Sequence, residues 1–254
     1  MSSAQTILIT GANRGIGHGI ASALLQKPST TVIAAVRDPS KESSVALANL
    51  PKGTDSRLII VKLDVTIESD PVAAVETLKN EHNLQSLDVV IANAGISHSG
   101  TSVLQSSSSA IADHFAINTT GPIILLQATA PLLKASKNPT FIAISSMMGS
   151  IGGMELLAGI PAIMSPYGGS KGALNWFLRR VHFEEPWLTT IAVHPGLVLT
   201  DMAKVMFGKL GVDPKDFGAI SVEESVKGLV ERVATANREV SGTFQNYDGN
   251  PLPW

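Results

Sequence analysis

Cysteine does not occur anywhere in this 254-residue sequence. Disulfide bonds, thiolate nucleophiles, zinc sites with thiolate ligands and iron–sulfur clusters are therefore excluded, because each of them requires cysteine sulfur. A chain without cysteine fits the reducing cytoplasm, where we expect this protein to act.

Charged residues are few and nearly balanced in sign. They make up 16% of the chain, and the formal net charge is only −2. This composition lacks the basic surface that binding to nucleic acid or to an anionic membrane requires. Hydrophobic residues reach 44%, and this fraction excludes an intrinsically disordered chain.

Segments that could enter a membrane are also missing from the sequence. The first residues carry no basic cluster, and the apolar run at 7–9 is too short for the core of a signal peptide. The longest stretch without a charge, 114–133, contains Asn118, Gln127 and two prolines. These residues favour a buried helix over a lipid-facing one, so we expect no membrane segment.

The chain alternates between two hydrophobic periods along its whole length. Apolar runs predict strands at 6–10, 31–36, 58–63, 87–92, 140–145 and 188–194, and helical periodicity falls at about 15–26, 41–50, 68–81, 104–136, 166–183 and 221–236. Several strand runs are apolar at nearly every position, as in parallel strands covered on both faces. We therefore predict one α/β domain over residues 1–254, built on a doubly wound parallel sheet. Ligands of such sheets bind at the carboxyl ends of the strands.

A glycine-rich turn follows the first predicted strand. Gly11, Gly15 and Gly17 permit a tight turn, close approach of backbone N–H groups to a pyrophosphate, and close packing of the next helix. An ordinary glycine turn is the alternative, but the strand–turn–helix context favours a dinucleotide site.

The motif from Thr10 to Gly17 resembles the cofactor fingerprint of the short-chain dehydrogenases/reductases, and later motifs extend the resemblance over almost the entire chain. The resemblance implies a Rossmann fold extended by one strand, and a nicotinamide dinucleotide as cofactor. Within the family, the patterns Ser-x-x-Gly-Ser at 146–150 and Ser-Lys-x-Ala-Leu-Asn at 170–175 are most similar to sniffer-type carbonyl reductases and norsolorinic acid ketoreductase-like enzymes of polyketide pathways.

The residue that reads the adenosine ribose is expected about 20 positions beyond the glycine turn, where Arg37 stands. A guanidinium there binds a 2′-phosphate, and Arg14 in the turn could reach the same group, so the pair favours NADP(H). Two alternatives stay open: Asp38 could serve a ribose hydroxyl, and Arg37 could be an ordinary surface arginine.

The resemblance implies further cofactor contacts at the ends of other strands. They are expected at Asn13 and Ile16 in the turn, at Asp64 and Val65, at Asn93, Ala94 and Gly95, and at Pro195, Gly196, Val198 and Thr200. Asp64 is nearly as well explained as a cap of the turn that begins before Thr66. His194 is interpreted as a strand-end histidine rather than a base.

Tyr167 and Lys171 stand four residues apart and therefore share one face of a helix. A phenol with a pKa near 10 is a slow acid–base catalyst at neutral pH, and a nearby ammonium lowers that pKa. A surface tyrosine beside a solvated lysine is the alternative interpretation. We predict that Tyr167 donates the proton in ketone reduction and that both residues also contact the cofactor.

A hydroxyl that stabilises the substrate oxygen is expected after the fifth strand, where both Ser145 and Ser146 stand. The family pattern favours Ser146, although its separation from Tyr167 is longer than the family pattern has. The resemblance also implies that the backbone carbonyl of Asn118 holds a relay water. A helix kink capped by Asn118 is the alternative.

These residues predict an NADPH-dependent ketoreductase that needs no metal. Methionine-rich segments at about 147–166 and 198–220 are expected to form substrate loops for a hydrophobic, aromatic or polyketide-derived ketone, or else to pack against the core or a partner subunit. The alternatives are an NAD(P)⁺-dependent alcohol dehydrogenase and a catalytically silent NADP(H)-binding sensor. The family usually pairs through the helices at 104–136 and 166–183, so a homodimer or homotetramer is expected.

Overall fold

Seven parallel strands form one sheet in the computed structural model, which describes residues 4–98, 100–159, 164–211 and 213–254 and only the backbone of residues 206, 209 and 210. The strands are β1 (Gln5–Thr10), β2 (Thr30–Val36), β3 (Arg57–Lys62), β4 (Val89–Ala92), β5 (Thr140–Ile144), β6 (Thr189–His194) and β7 (Thr243–Asn246). Their order is β3-β2-β1-β4-β5-β6-β7, with every neighbouring pair parallel. The direction of winding changes between β1 and β4, and ligands of such sheets bind beside this point.

Helices cover both faces of the sheet. They are α1 (Gly15–Leu25), α2 (Glu42–Val45), α3 (Asp70–Asn80), α4 (Ser108–Phe115), α5 (Gly121–Lys134), α6 (Ser165–Glu184), α7 (Asp201–Leu210) and α8 (Val222–Thr235). Leucines and other apolar residues of α3, α5 and α6 pack on one face, and those of α1 and α8 pack on the other. The predicted doubly wound sheet is therefore confirmed.

Strand prediction was accurate except at the far edge of the sheet. The six predicted strands are present with ends shifted by at most two residues, but β7 was not predicted. Its four residues include only one apolar side chain, that of Phe244, so the segment lacks the apolar run that marks the buried strands.

The predicted helix at 104–136 is wrong as a single element. The α-helical structure begins only at Ser108, the first residue of α4, and the Ser107 hydroxyl before it accepts a hydrogen bond from the Ala110 amide at 3.1 Å. A π-helical segment, Ala116–Thr120, then separates α4 from α5. Its side chains bond to other parts of the fold, and these tertiary bonds outweigh the regular periodicity that the sequence shows.

Two other segments also differ from their predicted form. The helix expected at 41–50 is only α2 followed by a 3-10 turn, Ala46–Asn49. The segment at 198–220 is not a continuous loop, because it contains α7, which the side chain of Thr200 caps. Residues 160–163 of the other predicted substrate loop lie outside the described ranges. No helix within those ranges has both the length and the apolar character needed to cross a membrane.

Candidate active site

The glycine turn lies between β1 and α1, at the carboxyl edge of the sheet. Gly11 and Gly15 have φ angles of +65° and +53°, which side chains other than glycine rarely adopt. A Cβ atom on Gly17 would collide with the carbonyl oxygen of Gly11. A Cβ atom on Gly15 would meet only the Thr200 methyl group, at 3.6 Å. The turn therefore packs α1 closely against β1 at Gly17, and the side of the turn at Gly15 stays accessible.

No side chain of the described residues caps the amino end of α1 or places a negative charge in its first turn. Arg14 precedes the helix without a side-chain cap, and the first turn contains no acidic residue. By contrast, Ser107, Thr200 and Ser221 cap α4, α7 and α8 with hydroxyl groups. The first amide groups of a helix have no intrahelical partner, and the helix dipole favours an anion there. The turn thus fits the pyrophosphate of a dinucleotide.

The ends of β1 and β4 are fastened together by Asn93. Its side-chain amide donates to the Thr10 carbonyl at 2.9 Å. The Thr10 hydroxyl in turn accepts hydrogen bonds from the Asn93 and Ala94 amides, both at 3.0 Å. A Cβ atom on Gly11 would lie 3.2 Å from the Ala94 Cα atom, so only small residues fit in this part of the edge.

Arg14 and Arg37 are both exposed, and neither forms an ion pair within the described chain. The carboxylate of Asp38, which could have served a ribose hydroxyl, instead accepts hydrogen bonds from the Ser40 hydroxyl at 2.6 Å and from the Ser40 amide at 2.9 Å. These bonds lower the pKa of Asp38. The arrangement leaves Arg14 in the glycine turn and Arg37 after β2 without an ion pair in the described chain, and such guanidinium groups favour a phosphate over a hydroxyl.

Two further predicted cofactor residues also bind within the protein. The Asn13 side chain donates to the Ser43 hydroxyl at 2.9 Å and so ties the glycine turn to α2. The Asp64 carboxylate accepts hydrogen bonds from the Thr66 amide and hydroxyl, at 2.9 and 2.7 Å. Asp64 is therefore a turn cap in this structure, and its contact with a cofactor stays a prediction.

Ser145 and Ser146 have different surroundings at the end of β5. The Ser145 hydroxyl is buried and donates to the Asn175 side-chain oxygen of α6 at 2.5 Å. The Ser146 hydroxyl forms a hydrogen bond with the phenol of Tyr167 and accepts one from the Met148 amide at 3.2 Å. The structure therefore places Ser146, and not Ser145, beside the tyrosine.

Lys171 is 4% exposed, and its ammonium donates to the Ile144 carbonyl at 2.7 Å. Its Nζ atom lies 5.8 Å from the centre of the Tyr167 ring. Burial lowers the Lys171 pKa from 10.5 to about 8. Burial also raises the pKa of the Tyr167 phenol, and the hydrogen bond from Ser146 only partly opposes this rise.

The prediction of a lowered Tyr167 pKa is therefore wrong for the chain without its cofactor, where the pKa is raised. The ammonium is bonded to a backbone carbonyl at the end of β5 and lies over the ring face. Loss of water around the phenolate has the larger effect, and this loss depends on packing that the sequence spacing does not reveal.

Close backbone packing positions Ser146 against α6. A Cβ atom on Gly168 would lie 2.7 Å from the Met148 carbonyl oxygen, and one on Gly149 would lie 2.5 Å from the carbonyl carbon of Lys171. The segment that follows Ser146 therefore lies directly on the helix turn that carries Tyr167 and Lys171. The sequence motif Ser-x-x-Gly-Ser includes Gly149 but did not reveal this packing, because the partner of Gly149 is 22 residues further along the chain.

Asn118 is fully buried in the π-helical segment, and its side chain forms three hydrogen bonds. It donates to the Ile96 carbonyl at 2.9 Å and to the Ser170 hydroxyl at 3.0 Å, and it accepts from the Ile96 amide at 2.9 Å. Ser170 in turn donates to the Tyr167 carbonyl at 2.7 Å. Asn118 therefore links the loop after β4 to the catalytic helix, while its relay role stays a prediction. Ser170 was missed, although its place directly before Lys171 was a possible signal.

The loop after β6 holds the last of the predicted cofactor residues at the carboxyl edge of the sheet. Gly196 has a φ angle of +85°, and Val198 forms an isolated bridge with Ile220. The Pro195 carbonyl accepts a hydrogen bond from Ser225 at 2.6 Å. Burial lowers the His194 pKa to about 4, so this histidine is neutral near pH 7, and its Nδ1 atom has no partner within the described chain.

The segments predicted to enclose a substrate contain both packed and exposed apolar residues. Met147 packs against the core, and Phe207 of α7 is buried. Ile151, Met154 and Leu156, which follow Ser146 in the chain, are exposed. Packing within the protein therefore applies to Met147 and Phe207, while a substrate contact of the exposed residues stays a prediction.

Comparison with known proteins agrees with this geometry. The sequence model of the short chain dehydrogenase family matches residues 5–210. The norsolorinic acid ketoreductase of Dothistroma septosporum is 39% identical over 259 residues, which cover 100% of this chain and 94% of the relative. The short chain dehydrogenase gsfK of Penicillium aethiopicum is 39% identical over 255 residues, which cover 98% and 99%.

Among solved structures, the NADPH-bound carbonyl reductase from chicken fatty liver is similar with a TM-score of 0.85 and 30% identity, covering 98% of this chain and 99% of that one. The carbonyl reductase Sniffer of D. melanogaster is similar with a TM-score of 0.83 and 27% identity, at the same coverage.

Substitution of the two adjacent serines is expected to have different effects. Ser146→Ala should lower kcat for NADPH-linked ketone reduction by about 10²–10³, because it removes a donor to the reacting oxygen. Ser145→Ala should keep most of the activity but lower the free energy of unfolding by about 1 kcal/mol, because it removes the bond to Asn175. Steady-state kinetics and urea denaturation of both variants would test this, and an equal loss of kcat in both would contradict it.

The lowered pKa of Lys171 predicts a pH-dependent stability. Between pH 8 and 10.5 the unfolded chain holds a proton on this lysine that the folded chain has released, so stability rises with pH in this window. Relative to Lys171→Met, the wild-type free energy of unfolding should rise by about 2 kcal/mol from pH 8 to pH 10. Urea denaturation of the cofactor-free proteins would measure this, and a constant difference would show that Lys171 is not titrating there.

Proposed function

The chain belongs to the short-chain dehydrogenase/reductase family, and from this premise we propose that it is an NADPH-dependent ketoreductase acting on a hydrophobic, aromatic or polyketide-derived ketone. As a member of that family it is an oxidoreductase of carbonyl or alcohol groups. The observation that carries the proposal is the meeting of Ser146, Tyr167 and Lys171 at the end of β5. The Lys171 ammonium donates to the Ile144 carbonyl at 2.7 Å and lies 5.8 Å from the centre of the Tyr167 ring, and the segment that follows Ser146 packs on the same helix turn. A cytoplasmic location remains a prediction.

The described residues fit a nicotinamide dinucleotide phosphate. The uncapped amino end of α1 would hold the pyrophosphate, Arg14 and Arg37 would bind the 2′-phosphate, and Lys171 would bind the nicotinamide ribose. When bound, the reduced cofactor supplies a hydride to the carbonyl carbon of the substrate. The NADPH-bound avian carbonyl reductase supports this choice of cofactor.

Each catalytic residue has one task in the proposed reaction. Tyr167 donates its phenolic proton to the carbonyl oxygen, and its raised pKa keeps that proton in place at neutral pH until the oxygen becomes basic. Ser146 donates a hydrogen bond to the same oxygen. The Lys171 ammonium stabilises the phenolate that remains, and Asn118 holds a relay water through its backbone carbonyl.

Apolar surface near the site supports a hydrophobic substrate. The exposed residues Ile151, Met154 and Leu156 belong to the segment between Ser146 and Tyr167. Flexible apolar side chains of this kind suit a bulky ligand. The similarity to a norsolorinic acid ketoreductase also supports a hydrophobic substrate.

Replacement of the tyrosine separates an enzyme from a silent NADP(H)-binding sensor. Tyr167→Phe should lower kcat for reduction of aromatic or bicyclic ketones by about 10²–10⁴ without changing the Kd for NADPH, because only the proton donor is removed. NADPH absorbance and fluorescence would measure the two quantities. Tyr247→Phe is the matched control, since Tyr247 is the only other tyrosine and bonds to Glu224 at 3.1 Å.

Activity of the control but not of Tyr167→Phe is the expected result. Binding of NADPH without turnover of any ketone by the wild type would favour the sensor. Turnover only of alcohols with NAD(P)⁺ would favour the reverse reaction, alcohol oxidation.

Substitution of Arg37 should reverse the preference between cofactors. Arg37→Asp should raise the Kd for NADPH by about 10–100-fold, because it removes charge-assisted bonds to the 2′-phosphate. The Kd for NADH should change much less. Arg57→Asp is the matched control, because Arg57 is also exposed but lies at the opposite, amino end of its strand. Equal weakening of both cofactors by Arg37→Asp would refute this role.

Association into a homodimer or homotetramer is the remaining part of the proposal. On α6, Trp176 and Phe183 are 62% and 60% exposed, and Ile111 and Phe115 of the neighbouring α4 are also exposed. Burial of such large apolar groups stabilises association. Sedimentation should show an oligomer that Trp176→Asp shifts toward monomer, whereas wild-type protein that sediments only as monomer would contradict this.

A further inference from the structure

The chain turns back after β7 and approaches the active-site loop. The Asn246 amide donates to the Asn250 carbonyl at 2.8 Å, and Gly249 in this turn has a φ angle of +92°. The Leu252 amide then donates to the Phe244 carbonyl at 2.8 Å. This return directs residues 253–254 toward the segment that begins at Ser146.

Two hydrogen bonds connect the returning chain to that segment, and a third supports them from within the segment. The hydroxyl of Ser150, a residue only 1% exposed, donates to the Pro253 carbonyl at 2.6 Å and accepts from the Gly153 amide at 2.9 Å. The Gly152 amide donates to the Trp254 carbonyl at 2.6 Å. We name this group of bonds the Ser150 clasp.

Side-chain packing also holds both sides of the Ser150 clasp. The Trp254 ring lies against that of Phe244, with centroids 5.7 Å apart, so the Trp254 carbonyl is held by the edge of the sheet. A Cβ atom on Gly153 would lie 3.1 Å from the Pro253 side chain and would collide with the Met147 methyl group. Neither side of the clasp can therefore move without a change in the core.

The clasp lies at the start of the loop that carries the exposed apolar residues Ile151, Met154 and Leu156. Beyond the described residues 150–159 of this loop, Met164 forms a parallel bridge with Thr101. Ser146 has a further support, since Gly149 and Gly168 allow the segment after it to pack directly on α6. The catalytic residues and the apolar loop thus have different supports.

We propose that Ser150 is a positioning residue for substrate size: through the clasp it determines how closely the apolar loop covers a bulky ketone. The proposal rests on the ketoreductase function proposed above. Loss of the clasp loosens the loop but leaves the hydrogen bond between Ser146 and Tyr167 in place. Binding of a large substrate is then weakened, while the chemical step and cofactor binding are not.

Ser150→Ala tests the proposal against Ser136→Ala. Ser136 is a matched control because its hydroxyl also joins two groups, the Asp88 carboxylate at 2.5 Å and the Asn138 amide at 3.3 Å, at the opposite, amino edge of the sheet. Ser150→Ala should raise KM for a bicyclic aromatic ketone about tenfold. Its kcat, its Kd for NADPH and its KM for a small aliphatic ketone should match those of Ser136→Ala.

Hydrogen exchange gives a readout that does not depend on activity. Amides at 150–158 should exchange faster in Ser150→Ala than in Ser136→Ala. Faster exchange together with no ketone reduction by the wild type would support the clasp and refute the proposed function. Equal KM increases for both ketones, an unchanged KM for the bulky ketone, or unchanged exchange would overturn the clasp. If Ser150→Ala does not fold, Trp254→Ala, which removes the support for the Trp254 carbonyl, carries the same expectations.

Discussion

The buried ammonium of Lys171 is the constraint around which the candidate site is built. Removing a cation from water is costly, and here the Ile144 carbonyl at the end of β5 and the face of the Tyr167 ring compensate for it. Gly95 and Gly149 allow backbone to approach this residue closely. Evolution tolerates such a cost mainly where function requires it.

The fold was largely predictable because its buried strands are apolar throughout. The failures came from tertiary contacts. The helix at 104–136 is interrupted because Asn118 and Thr119 bond to Ile96 and Ser170 instead of continuing a regular helix. The edge strand β7 escaped notice because half of its residues face a partly solvated border, so its sequence resembles that of a loop.

In the candidate site, too, sequence motifs were predictable and tertiary contacts were not. Motif residues such as Gly17 and Tyr167 were found because their spacing along the chain is itself the signal. Gly149 and Ser150 belong to the motif Ser-x-x-Gly-Ser, but their contacts were not predicted, because their partners are distant in sequence and become visible only when the chain is folded. The direction of the Tyr167 pKa shift was wrong for a related reason: spacing reveals neighbouring charge but not loss of water.

The π-helical segment Ala116–Thr120 closes its turn with a bond from the Gly121 amide to the Ala116 carbonyl, five residues back. It therefore holds one residue more than an α-helical turn would. Deleting a single residue here would restore a regular helix but rotate everything on one side of it by about 100°. Asn118 would leave its partners, or the aromatic face of α4 would turn away from α6. The number of residues at this point therefore fixes the orientation of the site, independently of which amino acids occupy the neighbouring positions.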